Sequence, residues 1–125
     1  MVIVDGDQHD PLCATYQMLE MGRLNATLKE CGVLDSAVRR AVCATYFFNA
    51  GYFLDNCWVG GTGRRFRVGL YFAELDGQNS PTGTVVLPDP AFGTVFHEYA
   101  HGAAAGLFED NEESVDNIEC GDVNF

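Results

Sequence analysis

Basic residues are scarce in this chain. Lys and Arg together account for seven of the 125 residues, against 18 Asp and Glu, and the formal net charge is −11. A protein that binds nucleic acid needs a basic face for the phosphates. We therefore expect no nucleic-acid partner.

Long apolar runs are also missing. No stretch of the sequence approaches the roughly 20 predominantly apolar residues that a membrane-spanning helix needs. Residues 1–7 have neither the basic region nor the longer apolar core of a secretory signal. We expect no membrane partner and a cytoplasmic or otherwise intracellular location, and the sequence indicates no particular oligomeric state.

Cysteine occurs five times, an odd number without any C-x-x-C spacing. Such a set is typical of neither a zinc ribbon nor a disulfide framework. We expect the cysteines to be small buried hydrophobic residues in a reducing compartment. Cys120 is the candidate exception, because it lies in a strongly acidic C-terminal segment that holds seven acidic residues after position 108 and no basic one.

The sequence contains one complete H-E-x-x-H pattern, formed by His97, Glu98 and His101. Residues four apart lie on one face of an α-helix, so the two imidazoles converge and supply two of the nitrogen ligands that Zn²⁺ favours. Glu98 lies about 100° round the helix from His97, where it faces a zinc-activated water better than it replaces a ligand. The pattern predicts one zinc ion per chain with Glu98 as the general base.

The pattern resembles the active-site helix of the zincin metallopeptidases, and the chain resembles a minimal gluzincin-like domain. The segment 110–116 is similar to the thermolysin-type glutamate helix, with an Asn-Glu-x-x-x-Asp arrangement. The resemblance implies that Glu112 is the third zinc ligand. It also implies that Asp116 is the carboxylate that orients one of the metal-binding histidines.

Two departures from the gluzincin pattern leave alternatives open. Ten residues separate His101 from Glu112, a short spacing that calls for a tight turn, which we expect at Gly106. Asp110, Glu113 and Asp116 therefore stay open as alternative third ligands, and Asp110 would resemble the aspartate-using zincins.

The second departure concerns the group that stabilises the transition state. No histidine follows His101, so a tyrosine from elsewhere in the fold is expected to take this role. The metzincin alternative is excluded, because Ala104 and Leu107 stand where that motif needs glycine and then histidine or aspartate.

Hydrophobic periodicity and turn residues predict an α+β fold in a single domain over residues 1–125. Asp10 and Pro11 are typical of a helix start, and the first helix is expected to run from there to about Glu30. The remaining expected elements are a strand at 1–4, a helix at 36–54, strands at 65–72 and 82–87 joined as a hairpin, the H-E-x-x-H helix and a short glutamate helix after it.

Three further features are each expected to have a structural role and not a ligand-binding one. His9 is expected to be structural, with about one chance in ten of binding metal. The aromatic run 46–48 is expected to pack in the core. The run Gly60–Gly63 is expected to form a turn, since it matches no phosphate-binding motif.

These features together predict a zinc-dependent metallopeptidase that hydrolyses peptide bonds through a metal-activated water, with a peptide or protein as its substrate. By analogy with zincins, either strand of the predicted hairpin is expected to hold an extended substrate by backbone pairing. The alternative is a non-catalytic zincin-like protein-binding module with a structural or vestigial zinc site. A chance pattern with no tight metal binding is the third hypothesis.

Overall fold

Helices and short strands follow one another along the chain in a mixed α+β arrangement. The computed structural model describes residues 1–90, 93–109 and 119–121. The elements within these ranges are β1 (Val2–Val4), α1 (Gly6–Glu30), α2 (Ser36–Asn56), β2 (Val59–Gly61), β3 (Arg64–Phe66), β4 (Phe72–Leu75), β5 (Pro81–Leu87) and α3 (Phe96–Glu109). The α+β class is confirmed, while the expected glutamate helix lies outside the described residues.

The main sheet has three strands in the order β1-β5-β4. β1 pairs with β5 in parallel, and β4 pairs with β5 antiparallel across the predicted turn, although β4 shares only Phe72 with the predicted strand 65–72. β5 is thus bonded on both sides at Val85 and Val86, so the expectation that either hairpin strand can take a peptide is wrong for this part of β5. β1 pairs with no residue of β5 before Val85, and β4 keeps an edge that the described residues leave unpaired.

The predicted strand at 65–72 is wrong in its middle. β3 ends at Phe66 and pairs with β2 across the two-residue turn Thr62–Gly63, whereas β4 begins only at Phe72. Both turn residues have positive φ, at 53° and 77°, which is the geometry that a tight hairpin turn requires. The turn expected in the Gly60–Gly63 run is therefore the hairpin turn Thr62–Gly63, while Gly60 and Gly61 belong to β2. The alternating residues 65–72 begin in β3 and end in β4, which are two separate strands.

α1 begins five residues before the predicted start. Asp5 is its N-cap, and its side chain accepts hydrogen bonds from the backbone N–H groups of Asp7 and Gln8. Pro11 lies inside the helix, so the Asp10-Pro11 start signal was wrong and the equally suitable Asp5 serves instead. This earlier start brings His9 into the helix and turns it into the core.

α2 matches its prediction closely, with Asp35 as N-cap. Arg39 on its first turn is buried, and its guanidinium donates to Asn25 of α1 and to the carbonyls of Val33 and Leu34. A buried charge is stable only when its donors are satisfied. Arg39 therefore fixes the connection between α1 and α2.

α3 packs on both preceding helices and completes the core. The buried core cluster comprises Met21, Cys43, Ala103, Ala104 and Leu107. The alanines of α3 are small enough to let the helices approach closely, which holds the H-E-x-x-H segment against α2. None of the helices in the described ranges is long and apolar enough to cross a membrane.

Candidate metal centre

His97 and His101 lie on the first two turns of α3, on the side that faces Phe48 of α2. The Phe48 ring is 5.8 Å from the His97 ring and 5.5 Å from the His101 ring, measured between centroids. One aromatic side chain thus contacts both imidazoles. The two histidines share one face, as the four-residue spacing predicted.

Asp55 of α2 fixes the orientation of His97. Its Oδ2 lies 2.5 Å from Nδ1 of His97. A carboxylate only accepts hydrogen bonds, so Nδ1 must carry the proton and the Nε2 of the neutral ring is left as the free electron-pair donor. That is the arrangement in which a carboxylate holds a metal-binding histidine in the required tautomer.

The same carboxylate caps the N-terminus of α3. Oδ1 of Asp55 accepts the N–H of Phe96 at 3.0 Å and the hydroxyl of Thr94 at 2.5 Å, while Oδ2 accepts the N–H of His97 at 2.9 Å. The side chain is 3% exposed, so these bonds are shielded from water. A negative charge here is stabilised by the positive end of the α3 dipole, and it offsets the repulsion that this end exerts on a bound cation.

One face of α2 supplies this whole environment. Phe48, Gly51, Tyr52 and Asp55 are spaced i, i+3, i+4 and i+7, which places them in one row on the helix. A Cβ built on Gly51 would lie 2.6 Å from the backbone N of His97, closer than real contacts allow. Glycine is therefore required where the two helices cross, next to the histidine.

Arg67 secures the C-terminal end of α2. Its guanidinium donates to the carbonyl oxygen atoms of Leu54, at 3.3 Å, and Asp55. The same group lies against Gly93, where a Cβ would come within 3.1 Å of it. Cationic groups at a helix C-terminus satisfy carbonyls that have no partner within the helix. Asp55, which positions His97, is thus held in place by hydrogen bonds to its side chain and to its backbone carbonyl.

Glu98 and Tyr52 are accessible from solvent beside the two histidines. Glu98 is exposed on the first turn of α3. Tyr52 is 50% exposed, and its ring centroid is 6.1 Å from that of His97. A carboxylate next to His97 in sequence and a phenol ring next to it in space are therefore both accessible to solvent.

The third metal ligand cannot be assigned from the geometry. Glu112 and the alternatives Asp110, Glu113 and Asp116 lie outside the described residues. Within the ranges 1–90, 93–109 and 119–121, no three His, Cys, Asp or Glu side chains form a group that could hold a metal ion. Imidazole nitrogen is a donor type that zinc favours, and two such donors supply half of a tetrahedral set.

The turn expected at Gly106 does not occur there. α3 continues to Glu109, so Gly106 is helical and packs beside Met18 of α1, whose methyl group would lie 3.3 Å from an added Cβ. Glycine is used at this position for helix packing.

His9 is structural, as expected. It is fully buried, its Nε2 donates to the carbonyl of Leu70 at 3.0 Å, and its Nδ1 accepts from the Cys13 thiol at 3.2 Å. Burial, with the negative charge of Asp10 as a smaller cause, raises the pKa of Cys13 from its ordinary 9.0 to about 12. The pair is therefore a neutral core contact and not an activated thiol.

The cysteine prediction is right in part. All those in the described ranges are free thiols, but only Cys13 and Cys43 are buried. Cys31 and Cys120 are exposed, and Cys57 is intermediate. Cys120 is thus one of three cysteines that are not buried, and not the single exception that the sequence indicated.

Sequence reasoning missed Asp55, Phe48, Gly51 and Tyr52. The aromatic run 46–48 was expected to pack in the core, which is right for Phe47. It is wrong for Tyr46, which is 59% exposed, and for Phe48, which contacts the two histidines. The i, i+3, i+4, i+7 spacing of the four residues is a usable signal for one helix face. What that face contacts depends on α3, about 40 residues further along the chain.

No protein-family model matches the chain, and no curated protein or solved structure shows significant similarity to it. The resemblance to zincins therefore depends on the H-E-x-x-H segment and the acidic segment after it.

Proposed function

We propose that this protein is a zinc-dependent metallopeptidase in which His97 and His101 bind the metal. The observation that carries the proposal is the hydrogen bond between Asp55 and Nδ1 of His97. A surface histidine in a chance pattern has no need of a buried carboxylate that selects its tautomer. Here that carboxylate leaves Nε2 available on the same face as His101.

Zinc, when bound, would supply a Lewis acid and lower the pKa of a water molecule towards neutrality. Glu98 would accept the proton of the attacking water and then donate it to the leaving amine, which requires an accessible carboxylate. Tyr52 would donate its hydroxyl hydrogen to the oxygen that becomes negative in the transition state. The exposure of Glu98 and Tyr52 beside the histidines supports both roles.

We propose that Glu112 completes the site, with Asp110, Glu113 and Asp116 as the alternative third ligands. Asp55 already accepts the Nδ1–H of His97. Asp116, which the zincin resemblance implies as an orienting carboxylate, would therefore orient His101. The expected substrate is an extended peptide segment, and the net charge of −11 favours basic segments.

Metal content and peptide cleavage test the proposal together. Protein purified without added metal is analysed for zinc as wild type, His97→Ala, Glu112→Ala, Asp110→Ala, Glu113→Ala and Asp116→Ala. We expect one zinc per chain in the wild type, loss in His97→Ala, and loss in one of the four carboxylate variants. Absence of zinc from the wild type, even after zinc is offered, would overturn the proposed site.

The Glu98→Gln variant distinguishes a peptidase from a non-catalytic protein-binding module. Turnover of a mixed peptide library should fall by about 10²–10⁴-fold while the zinc content stays unchanged, because only the proton acceptor is lost. Glu30→Gln, an exposed position at the end of α1, is the control and should cleave like the wild type. A zinc-loaded wild type without cleavage would favour the non-catalytic protein-binding module instead.

A further inference from the structure

A cavity of about 210 Å³ opens between α1 and α2. Its lining is largely apolar and includes Ala50 and Leu54 of α2 and Phe96 at the start of α3. Tyr16 and Tyr46 also line it, and both are partly exposed, so the cavity opens to solvent between two aromatic rings. An apolar cavity of about 150 Å³ is enough to admit benzene. A small organic molecule therefore fits this cavity.

Gln17 leaves one polar atom of the cavity wall without a partner. Its Nε2 donates to the carbonyl oxygen of Phe96 at 3.1 Å, which fixes the orientation of the amide because that carbonyl can only accept. Its Oε1 is buried and has no hydrogen-bond partner within the described residues. The residue as a whole is 3% exposed. An unpaired buried acceptor calls for a donor, supplied by a ligand or by water.

Glu20 is the charged group on the cavity wall. It lies one turn after Gln17 on α1, so the two side chains share a face of the helix. One oxygen of Glu20 accepts from the exposed Arg23 at 3.0 Å, and a carboxylate can accept further bonds. A buried amide oxygen, a carboxylate and two tyrosine rings together favour a cationic hydrogen-bond donor.

We propose that this cavity binds a small primary amine with a hydrocarbon body. The ammonium group donates to Oε1 of Gln17 and to the carboxylate of Glu20. The hydrocarbon body lies against Ala50, Leu54 and Phe96. The site requires neither zinc nor the two histidines of α3, so it goes beyond the proposed peptidase activity and its failure would leave that proposal intact.

Calorimetric titration with n-hexylamine, 1-hexanol and hexanoate, which share a hydrocarbon chain, tests the head-group preference. We expect hexylamine to bind best, hexanol more weakly and hexanoate not at all. Glu20→Gln should weaken hexylamine binding by about tenfold and leave hexanol binding unchanged, because it removes the charge and keeps the shape. Glu30→Gln on the same helix is the matched control.

Ala50→Phe tests the location, because the added ring fills the cavity and should abolish hexylamine binding. Ala41→Phe makes the same change at an exposed position of α2 outside this cavity and should leave binding intact. Circular dichroism checks the folding of both variants, and titration of the wild type with Glu20→Gln decides the matter if Ala50→Phe does not fold. Equal binding of amine and alcohol, no response to Glu20→Gln, or a cavity that takes up only water would overturn the proposal.

Discussion

Asp55 satisfies two requirements of α3 with one carboxylate, since it accepts two backbone N–H groups of the first turn and the ring N–H of His97. Asp35 accepts two backbone N–H groups at the start of α2 in the same way. Only Asp55 also binds a histidine. The pair therefore allows the capping role to be separated from the orienting role.

Asp55→Asn should reduce zinc affinity by about 10–100-fold. The amide keeps one oxygen acceptor, but its NH2 group only donates, so it cannot accept the Nδ1–H of His97 while the oxygen accepts from Thr94 and Phe96. We expect the metal-free variant to lose the single tautomer of His97. Zinc titration measures the affinity, and ¹⁵N spectra of the imidazole measure the tautomer.

Asp35→Asn is the control for this prediction, because asparagine is as good an N-cap as aspartate. Its zinc affinity and His97 spectrum should equal those of the wild type. Unchanged zinc affinity in Asp55→Asn would show that the carboxylate serves only as a cap.

The buried thiols should resist alkylation. Burial raises the pKa of Cys13 to about 12 and that of Cys43 to about 11. At pH 8 the thiolate fraction of Cys13 is about 10⁻⁴, against roughly a tenth for a thiol with an ordinary pKa of 9.0. Iodoacetamide at pH 8 should therefore modify the exposed Cys31 and Cys120, as read by mass spectrometry of the peptides.

Denatured protein is the control for the thiol prediction, and all five cysteines should react in it. Because folding raises the pKa of Cys13, its contribution to stability is complete below pH 9 and is lost as the pH rises towards 12. Rapid labelling of Cys13 in the folded protein at pH 8 would contradict the burial seen here.

At the scale of elements, the crossing of α2 and α3 decides where the histidines lie. The helices meet backbone to backbone at Gly51, with Asp55 one turn further along α2. The large apolar residues of the core lie towards the other end of α3, where Leu107 is buried beside Met21. Near the histidines, the α2–α3 interface is therefore held more by close backbone packing and hydrogen bonds than by large apolar side chains.

Gly51→Ala should destabilise the protein by about 1–3 kcal/mol and weaken zinc binding. The added Cβ would lie 2.8 Å from the carbonyl carbon of Phe96 and 2.9 Å from Cα of His97, and these backbone atoms can move only if α3 shifts. Urea denaturation measures the stability, and zinc titration reports the displacement of His97.

Gly102→Ala makes the same substitution in α3 where a Cβ meets no atom within 4 Å. It should stabilise the protein by about 0.5–1 kcal/mol, because alanine loses less conformational entropy in a helix than glycine does. Equal effects of the two substitutions would mean that the helices do not approach closely at Gly51.

At the scale of the whole molecule, zinc should stabilise the folded state, since the two histidines converge only when α3 is formed and docked on α2. Free zinc at 100 times its dissociation constant should raise the free energy of unfolding by about 2.7 kcal/mol. Thermal unfolding with zinc and with a chelator measures the difference.

The control for zinc-linked stability is His97→Ala, whose melting temperature should not respond to zinc. A similar response in this variant would place the metal elsewhere, for example on exposed thiols such as Cys31. Hexylamine should stabilise both the wild type and His97→Ala, because its proposed cavity lies between α1 and α2 and does not involve the histidines.

Local patterns were sufficient to predict several parts of this protein. The bounds of α2, the turn before β5 together with β5 itself, and the helix that carries His97 and His101 follow from periodicity and turn residues, which depend on near neighbours. The start of α1 was wrong because Asp5 and Asp10 are equally good caps. Only the pairing of β1 with β5 and the burial of His9 favour the earlier one.

The sequence by itself determined the α+β class, the net negative charge and the placement of His97 and His101 on one face of one helix, since each depends on composition or on spacing within one element. The tertiary structure alone decided which carboxylate orients His97, which aromatic ring contacts both histidines and why Gly51 is required. These contacts join residues about 40 positions apart, and only the packing of α3 on α2 brings them together.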